Sequence, residues 1–456
     1  MEPFIHLHVH TQFSVLDGQA SVPALVDKAI ADGMPGIAIT DHGNMFGIKE
    51  FFNYVKKKNG KVNDAIKAAK KEIEKFEKLE KGEIEPEKKN EGDENTQENG
   101  ENIPAETPAE AITRLNGEIA SMQKKLFKPI FGCEMYVANT SRFEKTDKRD
   151  TGRHLVVLAK NEKGYRNLIK LVSNAWTDGF YSHPRTDKDD LAKYREGLIV
   201  CSACLGGEIP RLIQIGDIEQ AEKVALWYKE TFGDDYYIEL QRHKATIPRA
   251  NHEVYRIQEM VNTELIKIAE KLNIKLVCTN DVHFVNEEDA EAHDHLICVS
   301  TGKYLDDEKR MLYTKQEWMK TQEEMNKLFG DIPESLSNTI EILDKVEFYS
   351  IDHGPVLPNF PLPDGFTDND DYLRHLTYEG AKRRWGTISE EQKERIDFEL
   401  NTIKNMGFPG YFLIVQDFIA AGRKLGVSVG PGRGSAAGSA VAYCLDITQI
   451  DRKSVV

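Results

Sequence analysis

The chain has 456 residues, 40% hydrophobic and 30% charged, with a formal net charge of −15. That length calls for two or three domains, since single cores rarely grow beyond roughly 250–300 residues, and the composition is that of an ordinary globular chain. The negative balance argues against a surface that grips nucleic acid all over, while leaving room for a local basic groove or a metal-bridged phosphate site.

In chain order, FIHLHVH reads as a strand, SVPALVDKAIADG as a helix with Ser21 as N-cap and Gly33 as its C′ stop, and PGIAIT as a buried strand. The rhythm returns with HLVVLA (strand), EKGYRNLIKLVSNAW (helix), GLIVCSA (strand), IEQAEKVALWYKETFG (helix), YYIEL (strand), VNTELIKIAEKLN (helix) and IKLVCTND (strand). Repeated βα units with apolar strands predict a parallel sheet covered by helices, open or closed into a barrel. In either form, chemistry collects at the C-terminal ends of the strands.

Residues 57–125 interrupt that rhythm. DAIKAAKKEIEKFEKLEKG and AEAITRLNGEIASMQKKLF are charged helix formers, and residues 83–110 between them carry ten acidic residues against two basic ones. Almost nothing there is available for burial, so a helical hairpin with a disordered tip is expected as an insertion.

The candidate metal ligands fall at strand ends or on period-two faces. His6, His8 and His10 alternate along the first strand and share one face, and Asp17 follows it. AITDHG supplies His42, FGCEMYV Glu134, GRHLVVLA His154, IVCSACLGG Cys204, and CTNDVHF both Asp281 and His283. Imidazole, carboxylate and one thiolate together suit Zn²⁺, Mn²⁺ or Fe²⁺ better than Mg²⁺ or Ca²⁺. Such a set could hold two or three ions, which generate hydroxide and neutralise phosphate oxygens in phosphoester hydrolysis. Cys201 and Cys278 read as core residues, and CSAC has no second cysteine pair to make a zinc ribbon.

HLHVHTQFSVLDG, AITDHGNMFG, FGCEMYVA, HLVVLA, CSACLGGEIP and TNDVHF together resemble the polymerase-and-histidinol-phosphatase (PHP) family, in the form that opens the C-family of bacterial replicative DNA polymerases. The resemblance covers residues 1 to about 56 and 126 onward. It implies a distorted seven-stranded βα barrel with three metals on His8, His10, Asp17, His42, Glu134, His154, Cys204, Asp281 and His283. It also implies a metal-dependent 3′–5′ exonuclease able to proofread. His6, outside that ligand register, is expected to be a packed or hydrogen-bonded barrel residue.

Further on, GFPGYFLIVQDFIAAGRKLGVSVGPGRGSAAGSAVAYCLDIT (407–448) reads as helix, short strand, glycine-rich turn and helix, whose start favours an anion. It resembles the start of the polymerase palm, an α+β domain in which Gly434 and Ser435 would contact the incoming dNTP's phosphates, with Arg433 beside them. The three palm aspartates that would bind Mg²⁺ do not occur downstream, so this chain is not expected to polymerise alone. TDNDDY (367–372) reads as a turn and helix cap, and KRRW (382–385) as a solvated helix face. The tail DRKSVV leaves the family pattern and suggests truncation of a longer protein.

The expected domains are therefore a PHP phosphoesterase at 1–290, a connecting segment at 291–365, the start of the palm at 366–450 and an atypical tail at 451–456. Six scattered cysteines, no visible secretion signal and no membrane-spanning stretch point to the cytoplasm. The implied partners are primer-template DNA, dNTP, the sliding clamp and other replisome subunits. A stand-alone PHP phosphoesterase and a non-catalytic scaffold domain are the alternatives.

Overall fold

Seven strands form one curled sheet. They are β1 (Gly36–Ile39), β2 (Lys128–Val137), β3 (Arg153–Ala159), β4 (Arg185–Thr186), β5 (Leu198–Cys201), β6 (Tyr236–Leu240) and β7 (Lys275–Cys278). The sheet order is β1-β2-β3-β5-β6-β7, with β4 also on β2. This computed structural model describes residues 1–81, 83, 107–354, 356–432, 434 and 438–451. Contacts divide the chain into two units, Met1–Ile351 and Asp352–Val456.

The strands form where apolar residues run together, and every residue of β1, β5 and β6 is buried. The sheet is not wholly parallel. β3 runs antiparallel to both β2 and β5, whereas β1–β2, β2–β4, β5–β6 and β6–β7 are parallel. No helix separates β2 from β3, so the chain turns back through a loop instead of making a crossover.

The N-terminal segment departs from the continuous strand expected of it, with a lone bridge from Val9 to Val282. Its carbonyls at His6 and Val9 accept from the Ala38 and Thr40 amides, while His8 and His10 exchange backbone hydrogen bonds with Val282. The acceptors are spaced one residue wider than the donors of β1, which is a bulge that breaks the ladder. The segment nevertheless joins both ends of the sheet path, and this closes the barrel.

Helices α1 (Val22–Ala31), α2 (Ile48–Lys58), α3 (Gly60–Glu80), α4 (Pro108–Gln123), α5 (Glu162–Thr177), α6 (Lys188–Lys193), α7 (Glu208–Gln214), α8 (Ile218–Phe232) and α9 (Glu253–Leu272) accompany the strands. Ser21 caps α1 by accepting from the Ala24 amide, and Gly33 follows the helix at φ +76°. Helices α10 (Ala290–Thr301), α11 (Gln322–Phe329) and α12 (Pro333–Lys345) complete the first unit. Leu336, Ile342, Leu343 and Val346 join the same core as the strands. Residues 291–351, expected within a connecting segment, therefore pack as part of this unit.

In the insertion, α3 and α4 pair through a small core of their own around Ile66, Ala69, Leu115 and Ile119. The stretch expected to be a disordered tip lies almost wholly outside the described residues. At the base of the hairpin, the buried Asn59 side chain donates to the Phe127 carbonyl (2.8 Å) and accepts from its amide (3.0 Å).

In the second unit, α13 (Asn369–Trp385), α14 (Glu390–Asn405), α15 (Pro409–Lys424) and α16 (Ala440–Cys444) enclose Leu373, Ile396, Leu400, Leu413 and Val441. Asp368 caps α13, as TDNDDY suggested. The short strand expected between helix and glycine-rich turn does not form, and no strand occurs among the described residues of this unit. A short segment without a neighbouring strand gains too few hydrogen bonds to hold a ladder. KRRW is not purely solvated either, because Arg383 and Arg384 both bind Asp446 and Arg384 is largely covered.

Asn59→Ala removes two buried hydrogen bonds and should cost about 1–3 kcal/mol. Thermal melting should report the loss, with amide exchange faster in α3 and α4 than in the strands.

Candidate metal centre

Glu134 lies in β2, where a period-two face turns its carboxylate into the barrel with 1% exposure. Its Oε1 is 3.3 Å from His8 Nε2, 2.8 Å from His154 Nδ1 and 3.8 Å from Cys204 Sγ. Its Oε2 is 2.5 Å from His42 Nδ1 and 3.5 Å from His10 Nε2. Asp281 Oδ1 approaches His8 Nε2 at 3.3 Å and His10 Nε2 at 3.2 Å, and Asp17 Oδ2 lies 3.3 Å from His42 Nε2. His10 stacks on His42 with ring centroids 3.9 Å apart and lies 4.4 Å from His283. The nine candidate ligands thus come together in one cluster.

His6 is set apart. Fully buried, it hydrogen-bonds the Lys320 carbonyl at 2.8 Å, and burial lowers its pKa to about 4, so it stays neutral.

Neighbouring groups set the tautomers. Ser14 Oγ donates to Asp41 Oδ1 (2.8 Å), so it accepts from His10 Nδ1 at 3.0 Å and leaves His10 Nε2 as a bare acceptor. Glu239 Oε1 accepts from His8 Nδ1 at 2.7 Å, and the Asp281 carbonyl accepts from His283 Nδ1 at 2.7 Å. Three histidines therefore turn Nε2 inward, the arrangement by which outer partners orient metal ligands. Tyr313 donates to Asp17 Oδ2 at 3.1 Å.

The result is a concentration of buried polar atoms. His8 Nε2, His10 Nε2, Asp17 Oδ1, Glu134 Oε2 and Asp281 Oδ1 are buried without a well-aligned hydrogen bond, although several of them lie in close charged contact with one another or with His42. Such atoms are costly unless a cation or proton meets them. Three sets have ligand atoms within 4.8 Å of one another: His10, His42 and His283; His8, His10 and Asp281; and Glu134, His154 and Cys204. The donor set fits divalent metal ions.

Local backbone serves this convergence. Asp281 holds a left-handed conformation at φ +47°, as does Ala203 just before Cys204 at φ +62°. Gly206 donates its amide to Cys204 Sγ, and a β-carbon there would meet the His154 ring at 3.0 Å, so only glycine fits comfortably. Beside the cluster opens a cavity of about 340 Å³, whose walls include Tyr136, Thr151, His183, Gln241 and His243.

Sequence reading missed Glu239, Ser14 and Tyr313. Of these, Glu239 carried a usable signal, as a carboxylate near the C-terminal end of the otherwise apolar YYIEL strand. In the second unit, Gly434 has φ +66°, while Arg433 and Ser435 lie outside the described residues. The helix start expected to favour an external anion is met from within. Glu399 Oε2 accepts from the Val441 amide (3.0 Å) and from Ser439 Oγ (2.8 Å).

Burial would neutralise these side chains, but their mutual charges oppose it. For His8, burial is outweighed by Asp281, Glu239 and Glu134, which raise its pKa well above the ordinary value. His42 is raised in the same way by Glu134 and Asp17. Burial keeps His10 neutral, with a pKa of about 3. Glu134 and Asp281 remain ionised because the facing imidazoles overcome burial, whereas burial and Glu134 hold Cys204 as a thiol.

Two outcomes follow from this pattern. Protons on His8, His42 and Cys204 compete with cations, so metal binding should release protons and tighten as pH rises. Calorimetry in buffers of differing ionisation enthalpy checks this, and heats independent of buffer would contradict it. Glu239→Gln, which weakens the hold on His8 Nδ1, should lower metal affinity about 10–100-fold in chelator competition.

Residues 6–89 and 107–243 match the PHP domain family, and residues 371–454 match the bacterial DNA polymerase III alpha NTPase domain. The chain is 40% identical over 453 residues to the DNA polymerase III subunit alpha of Borreliella burgdorferi. That alignment covers 98% of this chain and 33% of the relative. The corresponding Treponema pallidum protein is 37% identical (98% and 32% covered), and that of Campylobacter jejuni 34% (99% and 34%). The chain spans about a third of the length of these curated relatives. With an N-terminal PHP match, a polymerase-specific match behind it and relatives aligned along nearly its whole length, the chain belongs to the bacterial DNA polymerase III alpha family.

Proposed function

We propose that the PHP unit is a metal-dependent phosphodiesterase that trims DNA 3′ ends, proofreading for a replicative polymerase whose N-terminal part this chain represents. The carrying observation is the convergence of buried ligand-type atoms on His8, His10, Asp17, Glu134 and Asp281, none with a well-aligned hydrogen bond, beside an open cavity. We assign all nine side chains, His8, His10, Asp17, His42, Glu134, His154, Cys204, Asp281 and His283, as ligands of two or three ions of the Zn, Mn or Fe type. When bound, such ions would activate water and neutralise phosphate charge.

The chain's own residues prepare the site. Ser14, Glu239 and the Asp281 carbonyl keep His10, His8 and His283 protonated on Nδ1, which leaves Nε2 of each ring turned into the cluster. Glu134 reaches toward five of the other ligands, and its central place would let its carboxylate hold metal charge at the middle of the cluster. The cavity admits a chain end, and Tyr136 and His183 form part of its wall.

In the longer relatives' context, Arg433, Gly434 and Ser435 would contact dNTP phosphates, with Glu399 bracing the helix behind them. Primer-template DNA, the sliding clamp and other replisome subunits are the corresponding partners, in the cytoplasm. No helix among the described residues is long and apolar enough to cross a membrane.

The test is 3′-end trimming of a labelled oligonucleotide. Replacing both His8 and His10 with alanine, or stripping metal with a chelator, should lower the rate by at least about 10³-fold. Unchanged trimming in the double variant would sink the proposal. Metal analysis should find two or more ions per chain, whereas a scaffold domain would retain almost none.

A further inference from the structure

A second concavity, of about 410 Å³, is lined in part by the loop that carries His42. Met45 and Phe46 form one wall and Ile169, Val172 and Trp176 of α5 the other, with Ser173 and Thr177 as its polar members. Phe46 is 64% exposed, and Trp176 and Phe180 are each 45% exposed. The Trp176 and Phe180 rings stack nearly parallel, with centroids 5.4 Å apart and planes 19° apart.

One residue ties this shelf to the metal centre. Gly43 accepts from the Trp176 indole N–H at 2.8 Å and donates its own amide to the Glu134 carbonyl at 2.8 Å. It holds φ +60°, and a β-carbon would strike Pro184 at 2.7 Å. The shelf is therefore fixed in position beside the candidate ligands. Because the indole's polar group is already engaged, its faces offer stacking without hydrogen-bond readout.

We infer that Trp176, Phe180 and Phe46 form a stacking platform for unpaired bases of a single-stranded DNA 3′ segment whose end enters the metal cavity. This rests on the phosphodiesterase reading above and names its substrate as single-stranded and sequence-indifferent. An enzyme that removes any terminal nucleotide needs a surface that accepts every base, and an aromatic face does so because all bases have π-faces. Lys170, exposed on α5 directly after the lining residue Ile169, offers a cation for the phosphate backbone.

The test is fluorescence anisotropy of end-labelled oligothymidylate titrated with the full chain, with chelator present so that nothing is hydrolysed. Wild type should bind. Trp176→Ala and Phe180→Ala should each weaken binding about 5–100-fold, while Trp176→Phe should retain most of it. All three should keep the wild-type metal content. With metal restored, the alanine variants should raise KM for 3′ trimming more than they lower kcat. Wild-type affinity in both alanine variants, or no binding by wild type, overturns the platform. Binding without trimming would refute the phosphodiesterase reading and leave the platform standing. Trimming with KM unaffected by Trp176→Ala would do the reverse.

Discussion

A single buried carboxylate organises this molecule. Glu134 sits at 1% exposure among His8, His10, His42, His154 and Cys204, with every approach at 3.8 Å or less. An ionised group so placed is expensive unless charge meets it from several sides. The imidazoles provide that charge when protonated, and divalent cations would provide more of it. The site is thus held together by opposed charges whose balance depends on what occupies it.

The barrel exists to deliver these groups to one end. β2 is the longest strand and touches β1, β3 and β4, so it brings Glu134 within reach of side chains from three directions. The N-terminal segment bridges β1 and the residues after β7, which places His8 and His10 against Asp281 and His283 across more than 270 residues of chain. Its bulge weakens the ladder locally, yet the bonds to both neighbours survive. Around the ligands, Ser14, Asp41, Glu239 and Tyr313 form a polar layer that orients rings and carboxylates without joining the cluster.

The α3–α4 hairpin is attached economically. Its core is separate from the main one, and the Asn59–Phe127 pair closes its base where the chain leaves and rejoins the barrel. An insertion so contained lengthens the chain without disturbing the strands on either side.

Local pattern carried much of this in the sequence itself. Apolar runs located β1, β3, β5, β6 and β7, Ser21 and Gly33 marked the ends of α1, and the positions of nine polar residues at strand ends marked the candidate ligands. These are properties of neighbouring residues, and neighbours are what a sequence displays. Strand geometry alone could not separate His6 from His8 and His10, since all three share one parity. The family resemblance set His6 apart, and the physical reason lies in long-range partners, with His6 meeting a carbonyl 314 residues away and His8 meeting Glu239 and Glu134. The antiparallel β3, the inclusion of 291–351 in the barrel unit, the role of Glu239 and the capping of α16 by Glu399 were likewise decided in three dimensions. Each depends on which distant segment completes a hydrogen bond or covers an apolar face, and only the closed fold settles that.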